Sequence, residues 1–213
     1  MSKVRAEISM SLDGFVAGPD PTLEEPLGRN GEALHEWVVQ TQAWREAHGL
    51  EGGETNEESD MVREGIASVG ASVMGRKMFS GGAGDWESDP RSKGWWGDEP
   101  PFHTQVFVLT HHAREPEEMD GGTTFVFVTE GIQAAVEQAR AAAGDRDVSI
   151  AGGASVIQQA LSAGLVEELR VHVAPILLGG GTRLFGEGRP VRLEATRMFS
   201  TPRAAHFRFD VGS

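Results

Sequence analysis

Not one of the 213 residues is cysteine. That absence excludes disulfides, CxxC redox pairs and cysteine-ligated zinc, and a reducing cytoplasm is the simplest setting. Long apolar runs are also missing. Nothing approaches the ~20 residues a helix needs to cross a bilayer. The opening stretch, MSKVRAEISMSLDG, has no apolar segment ahead of its charges, so a signal peptide is not expected. Positive charge is scarce: 19 Lys and Arg stand against 32 Asp and Glu, a net −13. Nucleic acid is therefore not the expected partner, because phosphate backbones need a basic face. Scarcity makes each clustered cation informative, since an anionic ligand must be met locally against a repelling overall field. No GxGxxG fingerprint, nucleophile elbow, internal repeat or low-complexity segment occurs. His111 and His112 are adjacent, but no carboxylate or third histidine stands at a supporting spacing, and no metal is expected.

What is present reads as a single domain over residues 1–213. Val4–Leu12 alternates, with Val4, Ala6, Ile8, Met10 and Leu12 on one side and Arg5, Glu7, Ser9 and Ser11 on the other. That is the period of a half-buried strand. Asp-Gly and Gly-Pro-Asp-Pro turns follow. Helices are expected at Gly31–Ala47, Glu57–Val69, Gly131–Ala143 and Ala154–Ala163. Strands are expected at Ala71–Met74, Gln105–Thr110, Thr123–Val128, Val148–Ala151, Glu168–Leu177, Val191–Phe199 and Arg203–Val211. Residues 80–102 form a long loop carrying three tryptophans, too structured in composition for a plain linker. Strand and helix mainly alternate, and strands alone close the chain. The fold class is therefore α/β: a doubly wound mixed sheet, mostly parallel with antiparallel C-terminal strands, and helices on both faces.

Three turns are punctuated by glycine. In ASVM-G-RKMF a strand ends at Gly75, and Arg76 and Lys77 open a helix. The spacing superficially resembles a P-loop, but Met78 stands where a Mg²⁺-binding hydroxyl should be. Helix N-terminal amides attract phosphate and arginine adds a bidentate fork; the plainer alternative is a solvated helix start. In DVSIA-GG-ASVIQQAL a strand meets Gly152 and Gly153, and a helix opens at Ala154 and Ser155. This is the logic of a diphosphate site, with a ligand-free βα turn as the alternative. In PILL-GGG-TRLF, Gly179–Gly181 read best as a tight crossover.

Taken in order, ISMSLDGFVAGPD, VMGRKMF, VFVLTHHARE, VSIAGGASVIQQALSAGLVEEL and VAPILLGGGTRLF resemble the dihydrofolate reductase-like superfamily. They are most similar to the RibD C-terminal domain family, the reductase half of a bifunctional riboflavin-pathway deaminase-reductase, here in stand-alone form. The resemblance spans nearly the whole chain and implies an NADPH-binding fold. It implies that Gly75, Arg76 and Lys77 meet the adenosine 2′-phosphate, that Thr110 and His111 lie by the adenosine ribose, and that Gly152, Gly153, Ala154 and Ser155 hold the diphosphate. It places Val16 and Ala17 near the nicotinamide. It also implies a homodimer, for which the late strands with Val171, Val173 and Ile176 would be a contact surface.

There are departures. The zinc signature of the deaminase half is impossible without cysteine, and Glu7 stands where riboflavin reductases commonly carry lysine. The expected activity is NADPH-dependent hydride transfer to a small heterocycle of pterin, pyrimidine or riboflavin-precursor type. The alternative is a non-catalytic NADP(H)-binding or sensor protein. Asp13 is the catalytic candidate, at a strand end where open α/β sheets place ligands, although Asp-Gly is also an ordinary turn pair. Ser11, Asp13, Trp37 and Asp60 are the candidates for touching substrate. Trp37 lies on an apolar stripe that also suits the core, Asp60 also suits a solvated helix face, and Glu36 is a possible second carboxylate.

Overall fold

The computed structural model describes residues 2–82, 84–186 and 190–212. Ala83, in the Trp-rich loop, and residues 187–189, beyond the third glycine turn, lie outside the described residues. The strands are β1 (Val4–Ser11), β2 (Phe15–Ala17), β3 (Val69–Gly75), β4 (Gln105–Leu109), β5 (Glu117–Glu118), β6 (Thr124–Val128), β7 (Asp147–Gly152), β8 (Glu168–Ala174), β9 (Thr182–Arg183), β10 (Leu193–Ser200) and β11 (Ala205–Val211). The helices are α1 (Glu36–Val39), α2 (Gln42–Ala47), α3 (Glu57–Ser68), α4 (Arg76–Ser80), α5 (Ile132–Ala143) and α6 (Ala154–Ser162), with a 3₁₀ turn over Gly31–His35 ahead of α1. Among the described residues, no helix is long and apolar enough to cross a membrane.

The main sheet has nine strands in the order β10-β11-β8-β1-β7-β3-β4-β6-β5. From β8 to β6 all neighbours are parallel. The other pairings, β11 with β8, β10 with β11 and β5 with β6, are antiparallel. The mixed, mostly parallel sheet is thus as expected, with its antiparallel strands at both margins.

Register explains the layers. Ala6 pairs with Ile150, Ile150 with Val73, and Val73 with Phe107. This row belongs to the large core cluster shared with Ala135, Val136 and Ala139 of α5 and Val156, Ile157 and Ala160 of α6. The alternate residues point to the other face. There α3 packs with Trp37, Ala43, Met61, Val62 and Ala204 in a second cluster. Trp86, Trp96 and Phe102 of the long loop close a third cluster over Met74, Phe79, Val106, Val108 and Phe125. The Trp-rich segment is therefore a packed cover for the outer half of one sheet face.

The expected helix over Gly31–Ala47 is broken. Thr41 donates its hydroxyl to Val38 O (2.7 Å) and accepts from Trp44 N (3.3 Å), which ends one short helix and caps the next. Such local hydroxyl bonding competes with a continuous helix. β3 begins at Val69 rather than Ala71. Gly70 permits this, because a Cβ there would sit 2.6 Å from Ala143 O. β8 stops at Ala174 rather than Leu177, since Pro175 follows. Three short strands were not expected: β5 pairs antiparallel with β6 at the sheet edge, and β2 and β9 pair antiparallel beside the main sheet. The apolar side of β10 is uncovered, with Met198 63% exposed.

Phe79 is fully buried and meets Phe125 and Phe127 edge-to-face at 4.9 and 5.4 Å. Phe79→Ala should cost about 3–5 kcal/mol in urea denaturation. A cost under about 1 kcal/mol would mean that the Trp-rich cover does not pack on the sheet as described.

Candidate active site

Parallel pairing sends six strand exits to one edge. Ser11 closes β1 and Asp13 follows it, Gly75 closes β3, Thr110 follows β4, Thr129 follows β6, Gly152 closes β7, and Pro175 follows β8. The adjacent strands β1 and β7 leave by opposite faces, β1 toward α1–α3 and β7 into α6. Diverging exits of this kind open a crevice where α/β sheets bind ligands.

Two of the glycine turns meet there. A Cβ on Gly75 would lie 3.0 Å from Val156 and 3.9 Å from both Gly152 O and Gly153 N. The Gly152–Gly153 peptide is cis, and Gly152 has φ 126°, a conformation open mainly to glycine. Nothing lies within 4 Å of a Cβ built on Gly153, so the backbone there is open to a ligand. No side chain caps α6, whose first N–H groups are therefore free for an anion. Ser155 is exposed at this end and Ala154 is buried.

Arg76 is engaged elsewhere, against the expectation of a free phosphate ligand. Its guanidinium stacks on Trp86 at 3.3 Å from the ring centroid, donates from Nε to Ser80 Oγ at 3.0 Å, and pairs with the Asp89 carboxylate. Asp89 also accepts from Ser80 Oγ (2.7 Å) and Arg91 N (2.9 Å). Burial alone would raise the Asp89 carboxyl, but the bonds from Arg76 and Ser80 hold it below its usual range. Lys77, by contrast, is exposed.

The loop is clasped further by Trp86 Nε1, which donates to His112 O at 2.9 Å, and by Asp85, 2.9 Å from His112 Nδ1. Thr110 is buried, and its hydroxyl accepts from His112 N at 3.1 Å; His111 is exposed beside it. Gly81 brings this loop against the one after β2, since a Cβ there would lie 3.0 Å from Trp95 and 3.1 Å from Leu23.

Asp13 accepts from Leu178 N (3.1 Å) and Gly179 N (2.8 Å). Ser11 and these two amides hold its carboxyl below the usual range. It is thus an ionised carboxylate that tethers the third glycine turn. Ser11 is fully buried, and its hydroxyl accepts from Phe15 N at 2.9 Å, closing the β1–β2 turn. Val16 is buried and Ala17 half-buried. Gly181 has φ 120°, and a Cβ there would overlap Ala17 O, so the third turn is a tight crossover as expected.

Two substrate candidates are displaced. Trp37 is 3% exposed and donates to Ser9 Oγ at 3.0 Å, so it serves as packed wall. Asp60 faces solvent on α3, as does Glu36. The buried acid of α3 is Glu58, which the sequence reading missed. His172, His206, Arg5 and Arg170 were missed with it, because alternation on β1, β8 and β11 reads as an ordinary solvated face.

The match to the RibD C-terminal domain model covers residues 2–207. The chain belongs to the RibD C-terminal domain family. It is 22% identical to the uncharacterized protein YyaP of Bacillus subtilis (strain 168), over 93% of this chain and 90% of that one. Its fold is similar to that of a putative riboflavin biosynthesis protein from Shewanella sp. PV-4, with a TM-score of 0.62, 19% identity and 99% of each chain covered. It is also similar to a Thermotoga maritima diaminohydroxyphosphoribosylaminopyrimidine deaminase/5-amino-6-(5-phosphoribosylamino)uracil reductase, with a TM-score of 0.56, 12% identity, and 98% of this chain against 56% of that one.

Glu7, on β1, has its carboxylate 3.2 Å from His172 Nε2 and 3.7 Å from both Arg5 and Arg170. Arg76 also has a structural partner in the chain's own loop. Asp89→Ala would leave Arg76 buried without a counter-ion, at a cost of about 3–5 kcal/mol. Hydrogen exchange should show lost protection over residues 84–102; unchanged protection would mean that the pair does not anchor the loop.

Proposed function

We propose that the protein is an NADPH-dependent reductase that transfers hydride to a small heterocycle of pterin, pyrimidine or riboflavin-precursor type. The observation that carries this reading is the contact between the Gly75 and Gly152–Gly153 turns, at the mouth of the β1–β7 crevice and beside the uncapped N-terminus of α6. The residues present fit a dinucleotide. Open backbone at Gly153 and free N–H groups at Ala154 and Ser155 suit a diphosphate; the exposed Lys77 supplies a local cation against an acidic overall charge, and the exposed His111 a ring N–H donor. Arg76 is already paired, so Lys77 takes over the phosphate role expected for it.

When bound, the nicotinamide supplies a hydride for an electrophilic C=N or C=O carbon. The protein's part is placement. Val16 and Ala17 line the turn past β1. Asp13, by holding Leu178 and Gly179, fixes the β8–β9 loop above it. Leu23 and Trp95 close the outer wall. A second reading, nucleotide binding without turnover, is favoured by Asp13 and Ser11 both being tied to main-chain amides.

Titration with NADPH and NADH, followed by loss of reduced-nicotinamide absorbance across a heterocycle panel, separates the readings. Saturable NADPH binding with turnover supports the reductase; saturation without turnover supports the second reading; no saturation sinks both. Ser155→Asp places a carboxylate at the α6 N-terminus, where it favours the helix by about 0.3–1 kcal/mol and repels a diphosphate. Thermal stability should hold or rise while NADPH affinity falls at least ~10-fold, about 1.4 kcal/mol. Lys77→Ala should weaken NADPH by a similar factor and leave NADH nearly unchanged.

The proposal includes a homodimer through the uncovered apolar side of β10 and the neighbouring half-buried Phe207 and Phe209 of β11; Val171, expected in that surface, is core at 4% exposed. Light scattering should show a dimer that Met198→Glu converts to a monomer; a monomeric wild type would remove this part.

A further inference from the structure

Between α3 and the sheet, far from the glycine turns, four titratable side chains form one hydrogen-bonded line. Glu58 Oε1 lies 3.0 Å from His206 Nε2, His206 Nδ1 lies 2.8 Å from His172 Nδ1, and His172 Nε2 lies 3.2 Å from Glu7 Oε1. Glu58, His206 and His172 are each at most 2% exposed. Four elements meet here: α3 gives Glu58, β11 gives His206, β8 gives His172 and β1 gives Glu7.

Donor and acceptor roles follow from the surroundings. Thr201 Oγ1 accepts from Arg203 N (3.1 Å) and Ala204 N (3.3 Å), so its own proton points to Glu58 Oε1 at 2.6 Å. Glu58 Oε1 is therefore an acceptor, and His206 Nε2 must donate to it. At the other end, Arg5 and Arg170 each stand 3.7 Å from Glu7 Oε2. Burial would raise the Glu7 carboxyl, yet His172 and the two guanidinium groups bring it down to about 2. Glu7 is ionised, and His172 Nε2 donates to it.

Both Nε2 atoms thus carry hydrogen, and the two Nδ1 atoms face each other at hydrogen-bond distance. Two neutral imidazoles hold only two protons between them. A third is required, or two lone pairs would confront each other in a buried site. We propose that His172 and His206 share this third proton as a buried imidazolium–imidazole pair, held between the Glu7 and Glu58 carboxylates, and that the pair braces α3 and Trp37 against β1 and β8. The Trp37 ring lies on both partners, at 4.4 Å from His172 and 4.8 Å from His206, and Phe199 stacks on His206 at 4.5 Å.

The charged groups around the pair are otherwise matched. Glu168 of β8 pairs with Arg170 at 2.6 Å. Arg197 of β10 pairs with Glu57 of α3 (3.0 Å), and Arg208 of β11 with Glu64 of α3 (3.0 Å). Asp147 stands 3.7 Å from Arg5. His35, in the 3₁₀ turn, is pushed toward its neutral form by burial and then by the charge of His172, so it offers no counter-charge.

A second added proton would set N–H against N–H, and burial followed by the His172 charge already lowers His206. The folded pair therefore takes up one proton where the unfolded chain takes up two, and stability falls as pH drops below about 6.5.

Nitrogen NMR of the histidine-labelled full chain tests the proton count directly. Near neutral pH, three of the four ring nitrogens of His172 and His206 should be protonated. Two protonated nitrogens, with both rings neutral, would overturn the proposal. His206→Gln should flatten the fall of urea stability toward acid pH and remove any pH-dependent shift of tryptophan emission. A variant that keeps the wild-type profile would show that the pair does not brace α3. Where His206→Gln fails to fold, the nitrogen count on the wild type still decides.

Discussion

Parallel pairing is the constraint from which the candidate site follows. Because β8, β1, β7, β3, β4 and β6 all run one way, every turn that leaves their C-terminal ends gathers on a single edge. Segments nearly eighty positions apart, at Gly75 and Gly152, become neighbours because β3 and β7 pair side by side, with Met74 opposite Gly152. What they expose is main chain. In a molecule of net charge −13, main-chain N–H groups are the natural anion donors, since they add local positive potential without free cations that acidic neighbours would neutralise.

Arg76 shows how burial reassigns a residue. At an exposed helix start it would oppose the helix dipole and welcome a phosphate. Here it is 7% exposed under the Trp86 ring, and a guanidinium in that position needs a fixed counter-ion. Asp89 provides it, from the chain's own loop. Yielding Arg76 to a ligand would leave Asp89 buried and unpaired, a cost of several kcal/mol that a partly solvated phosphate contact would not recover. The same pair explains why a segment rich in glycine and charge is ordered. Its tryptophans cover apolar sheet, and its ion pair fixes where they sit.

The parts of the fold legible in sequence were those set by short-range pattern. The alternation of Val4–Leu12, the apolar strand ending at Gly75 and the strand–Gly–Gly–helix of Val148–Ala163 each carry their structure within about fifteen residues. The break at Thr41 was not legible, because it depends on one hydroxyl choosing Val38 O over solvent. The role of Arg76 was hidden because its partner lies thirteen positions away, across a loop with no periodicity. Asp60 looked as suitable as Glu58; only the rotation of α3 on the sheet decides which carboxylate is buried. The polar rows Arg170, His172 and His206, Arg208 misled for a related reason. Period two reports that one face differs from the other, not that the polar one is wet.

That polar face raises a question of energetics. Buried ion pairs are seldom more stabilising than apolar residues of equal volume, so Arg5, Arg170, Glu58 and the two histidines are poorly explained as a source of stability alone. They do specify register. A one-residue slip of β11 against β8 would turn His206 out of line with His172 and bring Phe207 into its place, where Glu58 would find no donor. The apolar face imposes a weaker demand, because Val171, Phe207 and Phe209 could repack around a shifted strand. Through Trp37, which rests on both imidazoles and donates to Ser9, the register fixed in this buried layer extends to the middle of β1. The exit of that strand forms one wall of the crevice. The position of that wall therefore rests on hydrogen-bond directions in this buried layer.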